Sequence, residues 1–274
     1  MIYPGSIKHT ILVAIAVAFF ASAAACSDTS SPPVPPTPPD TSITTFGYTV
    51  IDTFAHDPNA FVQGLVCLDS VFIEGTGYHY GPSTLRRVRI ETGTIAQIRD
   101  MPPPAGGSAF FGEGVAVWGD TIVQLTWQGN TAVVYDRDSF DEIGRFQYPT
   151  EGWGLTHDGS RYIMSDGSST LYFRDRDTFA ELDRVQVTDE FGAVNALNEL
   201  EYIDGLVWAN RYQTGWIVMI DPATGRVRGR FHLGNLGDLH RGVANGIAWD
   251  PIKERLFVTG KLWLSVYEIQ LTEQ

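Results

Sequence analysis

The sequence predicts an all-β protein, and within that class a five-bladed β-propeller. Three observations carry the prediction. A glycine- or glutamate-flanked apolar strand recurs five times, at a period of roughly 40 to 50 residues, the spacing of propeller blades. A turn and a second apolar strand follow each time. No stretch keeps a helical apolar period for longer than a turn or two. A β-sandwich is the alternative for strands this short, but it does not require a register repeated five times.

The clearest unit runs from Phe110 to Trp127. Val115 to Trp118 and Ile122 to Trp127 read as strands around a Gly119-Asp120 turn. Glu113 stands between Gly112 and Gly114, where missing side chains let backbone or ligand approach closely. The same opening returns in Phe61-Val62-Gln63-Gly64-Leu65, Glu151-Gly152-Trp153-Gly154-Leu155, Leu197-Asn198-Glu199-Leu200-Glu201 and Ala244-Asn245-Gly246-Ile247-Ala248. Second strands follow around Phe72, Ile122, Tyr162, Val207 and Phe257. Four units then carry a hairpin that pairs an acidic or arginine residue with a turn, as in Asp136-Arg137-Asp138-Ser139-Phe140 and Asp175-Arg176-Asp177-Thr178-Phe179. The fifth stops at Val266-Tyr267-Glu268-Ile269 without one. Thr45 to Phe54 is free to supply its missing outer strand and close the ring.

In a propeller the innermost strands line the axis, so equivalent repeat positions converge. Those positions hold Phe61, Gln63, Phe111, Glu113, Trp153, Asn198 and Asn245. The ends of the second strands add Glu74, Trp127, Asp166, Tyr212 and Lys261. One acid, several amides and several aromatics around one opening define a candidate site. For any single aromatic the alternative place is the propeller core.

Ahead of this domain the chain carries Lys8, an apolar run from Ile11 to Ala21, and Ser22-Ala23-Ala24-Ala25-Cys26. The run is too short to span a bilayer and ends in small residues, the pattern of a signal peptide over 1–25. Cys26 then reads as the lipidated first residue of a bacterial lipoprotein. Ala23 stands where such sites usually have Leu, which leaves plain cleavage and secretion as the second route. Residues 26–44 form a proline-rich tether, extended and unable to join a core. The chain is thus read as exported and lipid-anchored to the cell envelope, periplasm-facing in a Gram-negative cell, with a monomeric domain over 45–274. Only Cys67 remains once Cys26 is lipidated, so no intrachain disulfide is expected, and Cys67 reads as a buried, inert thiol.

Asp and Glu number 32 against 19 Lys and Arg, a net charge of -13. That surface repels phosphate backbones and argues against a nucleic-acid partner. No His-Glu-x-x-His, paired cysteines at metal spacing, Gly-x-Ser-x-Gly elbow or P-loop occurs, so no metal or other cofactor is expected.

Seven segments in order, His56-Asp57-Pro58-Asn59-Ala60-Phe61-Val62-Gln63-Gly64-Leu65, Phe111-Gly112-Glu113-Gly114, Gln124-Leu125-Thr126-Trp127, Glu151-Gly152-Trp153-Gly154-Leu155, Leu197-Asn198-Glu199-Leu200-Glu201-Tyr202, Asn245-Gly246-Ile247-Ala248-Trp249-Asp250 and Val258-Thr259-Gly260-Lys261, give the chain a resemblance. It resembles the glutaminyl cyclases of plant and bacterial type from about Thr45 to Ile269. The resemblance implies a five-bladed propeller that converts the N-terminal glutamine of a peptide to pyroglutamate and releases ammonia. Animal enzymes of that activity have an unrelated zinc-dependent fold, consistent with the missing zinc motif. Carried over by position, Glu113 is the acid/base. Gln63 and Asn198 bond the substrate; Phe61, Phe111, Trp127 and Trp153 wall it, and Lys261 lies close by. Gln63, Asn198 or an indole N–H would serve the developing oxyanion. Tyr212 departs from the family, which often has Trp at that place.

Two other readings use the same residues. One is a non-catalytic propeller that binds a peptide or sugar. The other is a calcium-dependent, lactonase-like hydrolase with Glu113, Asn198, Asn245 and Asp250 as oxygen ligands.

Overall fold

Apolar runs of five to seven residues, broken by turns rich in Asp, Gly and Asn, are too short for stable helices and fold as strands. In the computed structural model, which describes residues 42–78, 81–104, 106–234 and 236–273, all but one of the described regular elements are strands. The expected signal peptide, Cys26 and all but the last residues of the tether lie outside the described residues.

After β1 (Thr44–Ala55), the strands β2 (Val62–Leu68), β3 (Val71–Thr76), β4 (Thr84–Arg89) and β5 (Ile95–Asp100) form an antiparallel meander. A second consists of β6 (Gly112–Trp118), β7 (Thr121–Thr126), β8 (Thr131–Asp136) and β9 (Glu142–Gln147). A third consists of β10 (Leu155–His157), β11 (Tyr162–Ser165), β12 (Thr170–Arg174) and β13 (Glu181–Gln186). A two-stranded ribbon, β14 (Thr188–Asp189) with β15 (Gly192–Ala193), interrupts the series. Then come β16 (Leu197–Ile203), β17 (Leu206–Arg211), β18 (Trp216–Ile220) and β19 (Val227–His232). A single 3-10 turn, Gly237–His240, leads to β20 (Ala244–Asp250), β21 (Arg255–Gly260) and β22 (Ser265–Glu273). The sequence reading foresaw neither the ribbon nor this turn.

The last two groups share an eight-stranded sheet ordered β16-β17-β18-β19-β1-β22-β21-β20. The join is β1. It runs antiparallel to β22 from Phe46↔Glu273 to Ala55↔Ser265, and touches β19 in parallel only over Thr44–Phe46. The segment expected to complete the fifth group therefore does so, with one more residue at each end. Ile43, assigned to the tether, already packs on the core.

The first strands β2, β6, β10, β16 and β20 touch one another in a closed cycle. Glycine permits the approach. Gly114 N donates to Trp153 O at 2.8 Å, and a Cβ on Gly114 would lie 2.7 Å from both Trp153 O and Leu155 N. Apolar layers fill the space between successive sheets; Ile73, Leu85, Val115, Ile122 and Val133 form one of them. Each such side chain contributes about 1.5–3 kcal/mol on burial.

The repeated hairpin signature has a physical reading. Asp136 Oδ1 accepts from Asp138 N and Ser139 N at 3.1 and 2.8 Å, and Asp175 Oδ1 from Asp177 N and Thr178 N at 3.1 and 2.8 Å. Phe140 and Phe179 close these turns in the left-handed region, at φ 62° and 58°. That conformation costs about 1–2 kcal/mol, which burial of each ring offsets. Cys67 is half-buried rather than buried, because it lies where the core side of β2 gives way to a half-exposed end. Burial first, then the charges of Asp250 and Glu201, push its thiol up to about 12, so it stays protonated and unreactive.

Candidate active site

Strand pairing slips at one place in four of the five first strands, and the slips aim the candidate residues. Val62 pairs with Thr76 but Gly64 with Gly75, leaving Gln63 as an extra residue. Gly112 pairs with Thr126 and Val115 with Gln124, so Glu113 and Gly114 stand opposite one residue. The same irregularity falls between Leu197 and Leu200, which frees Asn198, and between Ala244 and Ile247, which frees Asn245. A bulge re-aims a side chain that regular pleating would bury in a sheet face.

Gln63, Glu113 and Asn198 form the floor of a cavity of about 400 Å³. Nine of the twelve residues that the repeat brings together line it: these three with Phe61, Phe111, Trp127, Trp153, Tyr212 and Lys261. Its wall is a ring of side chains. Phe61 meets Phe111 edge-on, with centroids 6.2 Å apart, and Phe111 meets Trp127 at 5.8 Å. Trp153 meets Tyr212 at 5.3 Å. Lys261 Nζ closes the circuit, 5.4 Å from the Tyr212 ring and 4.6 Å over that of Phe61.

The sequence reading missed two residues that shape the wall, Tyr78 within it and Glu151 behind it. Tyr78 packs on Phe111 at 4.8 Å. It lies in the connection from β3 to β4, one residue past Gly77, the position that matches Trp127, so repeat position gave no signal for it. Glu151 accepts from Trp127 Nε1 at 2.7 Å and from Trp153 Nε1 at 3.0 Å. Its place beside Trp153 in the repeat was a signal, but its partner Trp127 comes from another unit.

The floor is wired internally. Gln63 Nε2 donates to Glu113 Oε1 at 3.0 Å, and Gln63 Oε1 accepts from Lys261 Nζ and, at 3.3 Å, from Asn245 Nδ2. One amide thus links the carboxyl to the ammonium. Asn198 Oδ1 is buried and accepts no hydrogen bond among the described residues. Such an orphan acceptor, facing a cavity, suits a donor from a ligand.

Burial pushes the Glu113 carboxyl well above the usual carboxylate range; Lys261 pulls against that rise and Glu151 adds to it. Burial pushes the Lys261 amine down to about 8, against the pull of Glu113. Burial works to raise Glu151 too. Hydrogen bonds from Trp153, Gln128 and Trp127 outweigh it and hold that carboxyl below its ordinary value.

Several expectations need correction. Glu74 does not reach the cavity: Leu65 pairs with Glu74 as Val115 pairs with Gln124, so the true counterpart of Trp127 is Gly77. Glu74 instead accepts from buried His56 Nε2 at 2.7 Å and from Arg86 at 3.4 Å. Asp166 turns away to accept from Ser168 and Tyr172. Asn245 sits behind Gln63 rather than on the cavity wall. Asp250 caps the turn at the far end of β20, bonding Ile252 N and Lys253 N, so the four oxygen ligands of the calcium reading do not converge. Neither indole N–H is free for an oxyanion, since Glu151 holds both.

These features define a class: an all-β protein with a raised-pKa carboxyl and a lysine in an aromatic cavity, equipped to move protons on a small ligand. The family model of glutamine cyclotransferases matches residues 12–271. The chain is 41% identical over 234 residues to an Arabidopsis thaliana protein named glutaminyl-peptide cyclotransferase, covering 82% of this chain and 71% of the other. It also superposes on the crystal structure of Myxococcus xanthus glutaminyl cyclase with a TM-score of 0.76 and 31% identity, over 85% of this chain and 100% of that one. The chain belongs to the glutamine cyclotransferase family.

Proposed function

We propose that this protein is a glutaminyl-peptide cyclotransferase: it closes the N-terminal glutamine of a peptide into pyroglutamate and releases ammonia. The observation that carries the reading is Glu113, a buried carboxyl held by Gln63 at 3.0 Å inside a ring of aromatic side chains. Family membership supports the reaction class. The four-strand groups and the closed cycle of first strands support a five-bladed propeller as the scaffold.

The substrate's α-amine attacks its own γ-carboxamide carbon. A C–N bond forms to close the five-membered lactam, and the bond to the carboxamide nitrogen breaks. Both reactants lie on one residue, so the cavity mainly selects the folded conformer. Phe61, Phe111, Trp127, Trp153 and Tyr212 supply the walls for that selection. Glu113, ionised, takes the proton from the attacking amine and returns it to the departing nitrogen, which leaves as ammonia. Such a shuttle contributes about 10² to 10⁴ in rate. The rise that burial imposes on the carboxyl narrows the gap in proton affinity between it and an amine, which eases transfer in both directions. Asn198 Oδ1 is positioned to accept an N–H of the substrate. Lys261 supports the charge developing on the carboxamide oxygen.

The site residues named from the sequence keep these roles under this reading, with Gln63 acting chiefly as the link that orients Glu113. We further propose export and anchoring through a lipid on Cys26, supported by the apolar leader and the proline-rich tether that follows. The test is to incubate the purified chain with a glutamine-first dipeptide and with its N-acetylated form. The reading requires ammonia from the first alone; binding of the dipeptide without ammonia leaves a non-catalytic binding protein.

A further inference from the structure

Trp127 follows β7 and Trp153 precedes β10, in different meanders, yet both Nε1 atoms donate to one oxygen, Glu151 Oε2, at 2.7 and 3.0 Å. Gln128 Nε2 donates to the other oxygen at 3.1 Å. The backbone around Glu151 is pinned on both sides. Asn130 Nδ2 donates to Thr150 O at 2.6 Å, Gly152 N to Trp127 O at 3.0 Å and Trp153 N to Ser165 O at 3.0 Å. Trp127 is 38% exposed, so burial alone does not hold its ring. An indole has a single donor, and fixing it selects one of the two ring flips.

Resting on the cyclotransferase reading, we propose that Glu151 is a positioning residue. It clamps the indoles of Trp127 and Trp153 so that their faces hold an N-terminal glutamine folded back on itself, and it does not touch the reacting atoms. A separate consequence follows from its charge. An ionised Glu151 behind the cavity wall disfavours ionisation of buried Glu113 and adds to the rise that burial imposes on that carboxyl.

Two variants separate clamp from charge. Glu151→Gln keeps the shape and one acceptor but removes the charge; Glu151→Asp keeps the charge but is too short to hold both indoles. Glu151→Asp should lower kcat for a glutamine-first dipeptide by about 10- to 100-fold, the scale for small misplacements of reacting groups, and Glu151→Gln should lower it less. The acid limb of the kcat–pH profile should move to lower pH in Glu151→Gln and stay in place in Glu151→Asp. A purely structural role would lower the melting temperature without moving the limb in Glu151→Gln, and that result overturns the proposal, as does wild-type kcat in Glu151→Asp. Near-UV circular dichroism reads the indoles without turnover: Glu151→Asp should lose intensity in the tryptophan bands while Glu151→Gln largely keeps it, and unchanged bands in Glu151→Asp refute the clamp. If the wild-type protein releases no ammonia, the cyclotransferase reading fails, while the dichroism still decides the clamp.

Discussion

Glu201 offers the sharpest test of how buried charge is managed around the site. It lies on β16, is 8% exposed, and accepts from Trp249 N at 3.1 Å. Burial pushes its carboxyl from 4.5 up to about 8, against the opposing hydrogen bonds of the Trp249 and Tyr202 backbone. A carboxyl raised on folding binds more protons in the native state than in the unfolded chain. Its contribution to stability is whole below about pH 4.5 and is lost as pH rises through the folded value. At roughly 1.4 kcal/mol per unit, the loss between about pH 5 and about pH 8 is about 3 kcal/mol. Glu201→Gln keeps the size and an acceptor for Trp249 N and removes the titration. Urea unfolding followed by tryptophan fluorescence should find the two proteins alike near pH 5 and the variant more stable by about 3 kcal/mol near pH 8. Glu113 and Glu199 are raised by burial in the same sense, so the wild type itself should lose stability over that interval. Parallel stability curves for wild type and variant would refute the reasoning.

Other outcomes follow from the same geometry. Gly114→Ala puts a methyl 2.7 Å from two backbone atoms of the neighbouring strand segment, and should cost about 3 kcal/mol or more in chemical unfolding. Tyr212→Ala removes one aromatic wall beside Trp153. It should raise KM about 3- to 10-fold with little change in kcat. Lys261→Met removes the cation that holds Glu113 down, so the acid limb of kcat should move to higher pH, opposite to its movement in Glu151→Gln. A limb that stays fixed in Lys261→Met would detach the lysine from the acidity of Glu113.

Much of the fold was legible because the units repeat related chemistry: two apolar strands around a turn in all five, with a Gly-Asp or Asp-Gly turn and an Asp-capped hairpin in the second, third and fourth. The pairing of β1 with β22 was legible from a missing hairpin after Ile269. The glycines beside Glu113 hinted at one bulge, but not that it turns a side chain inward; the shifts at Gln63 and Asn198 have no such flanking pair, yet together they aim Gln63, Glu113 and Asn198. Glu74 and Asp166 were placed on the cavity because repeat position alone does not fix register. In a strand a slip of one residue reverses the face on which a side chain lies. The link from Lys261 through Gln63 to Glu113 joins β2, β6 and the end of β21. Only the tertiary arrangement shows it. Glu151 was hidden for a related reason: its meaning lies in two indoles that converge from separate sheets.

The most direct test of the account replaces Glu113 with glutamine and follows ammonia released from a glutamine-first dipeptide, beside dipeptide affinity and the melting temperature. The account predicts that ammonia release vanishes while binding stays close to wild type and the melting temperature does not fall. Turnover at the wild-type rate in that variant would contradict it and place the proton shuttle on another group.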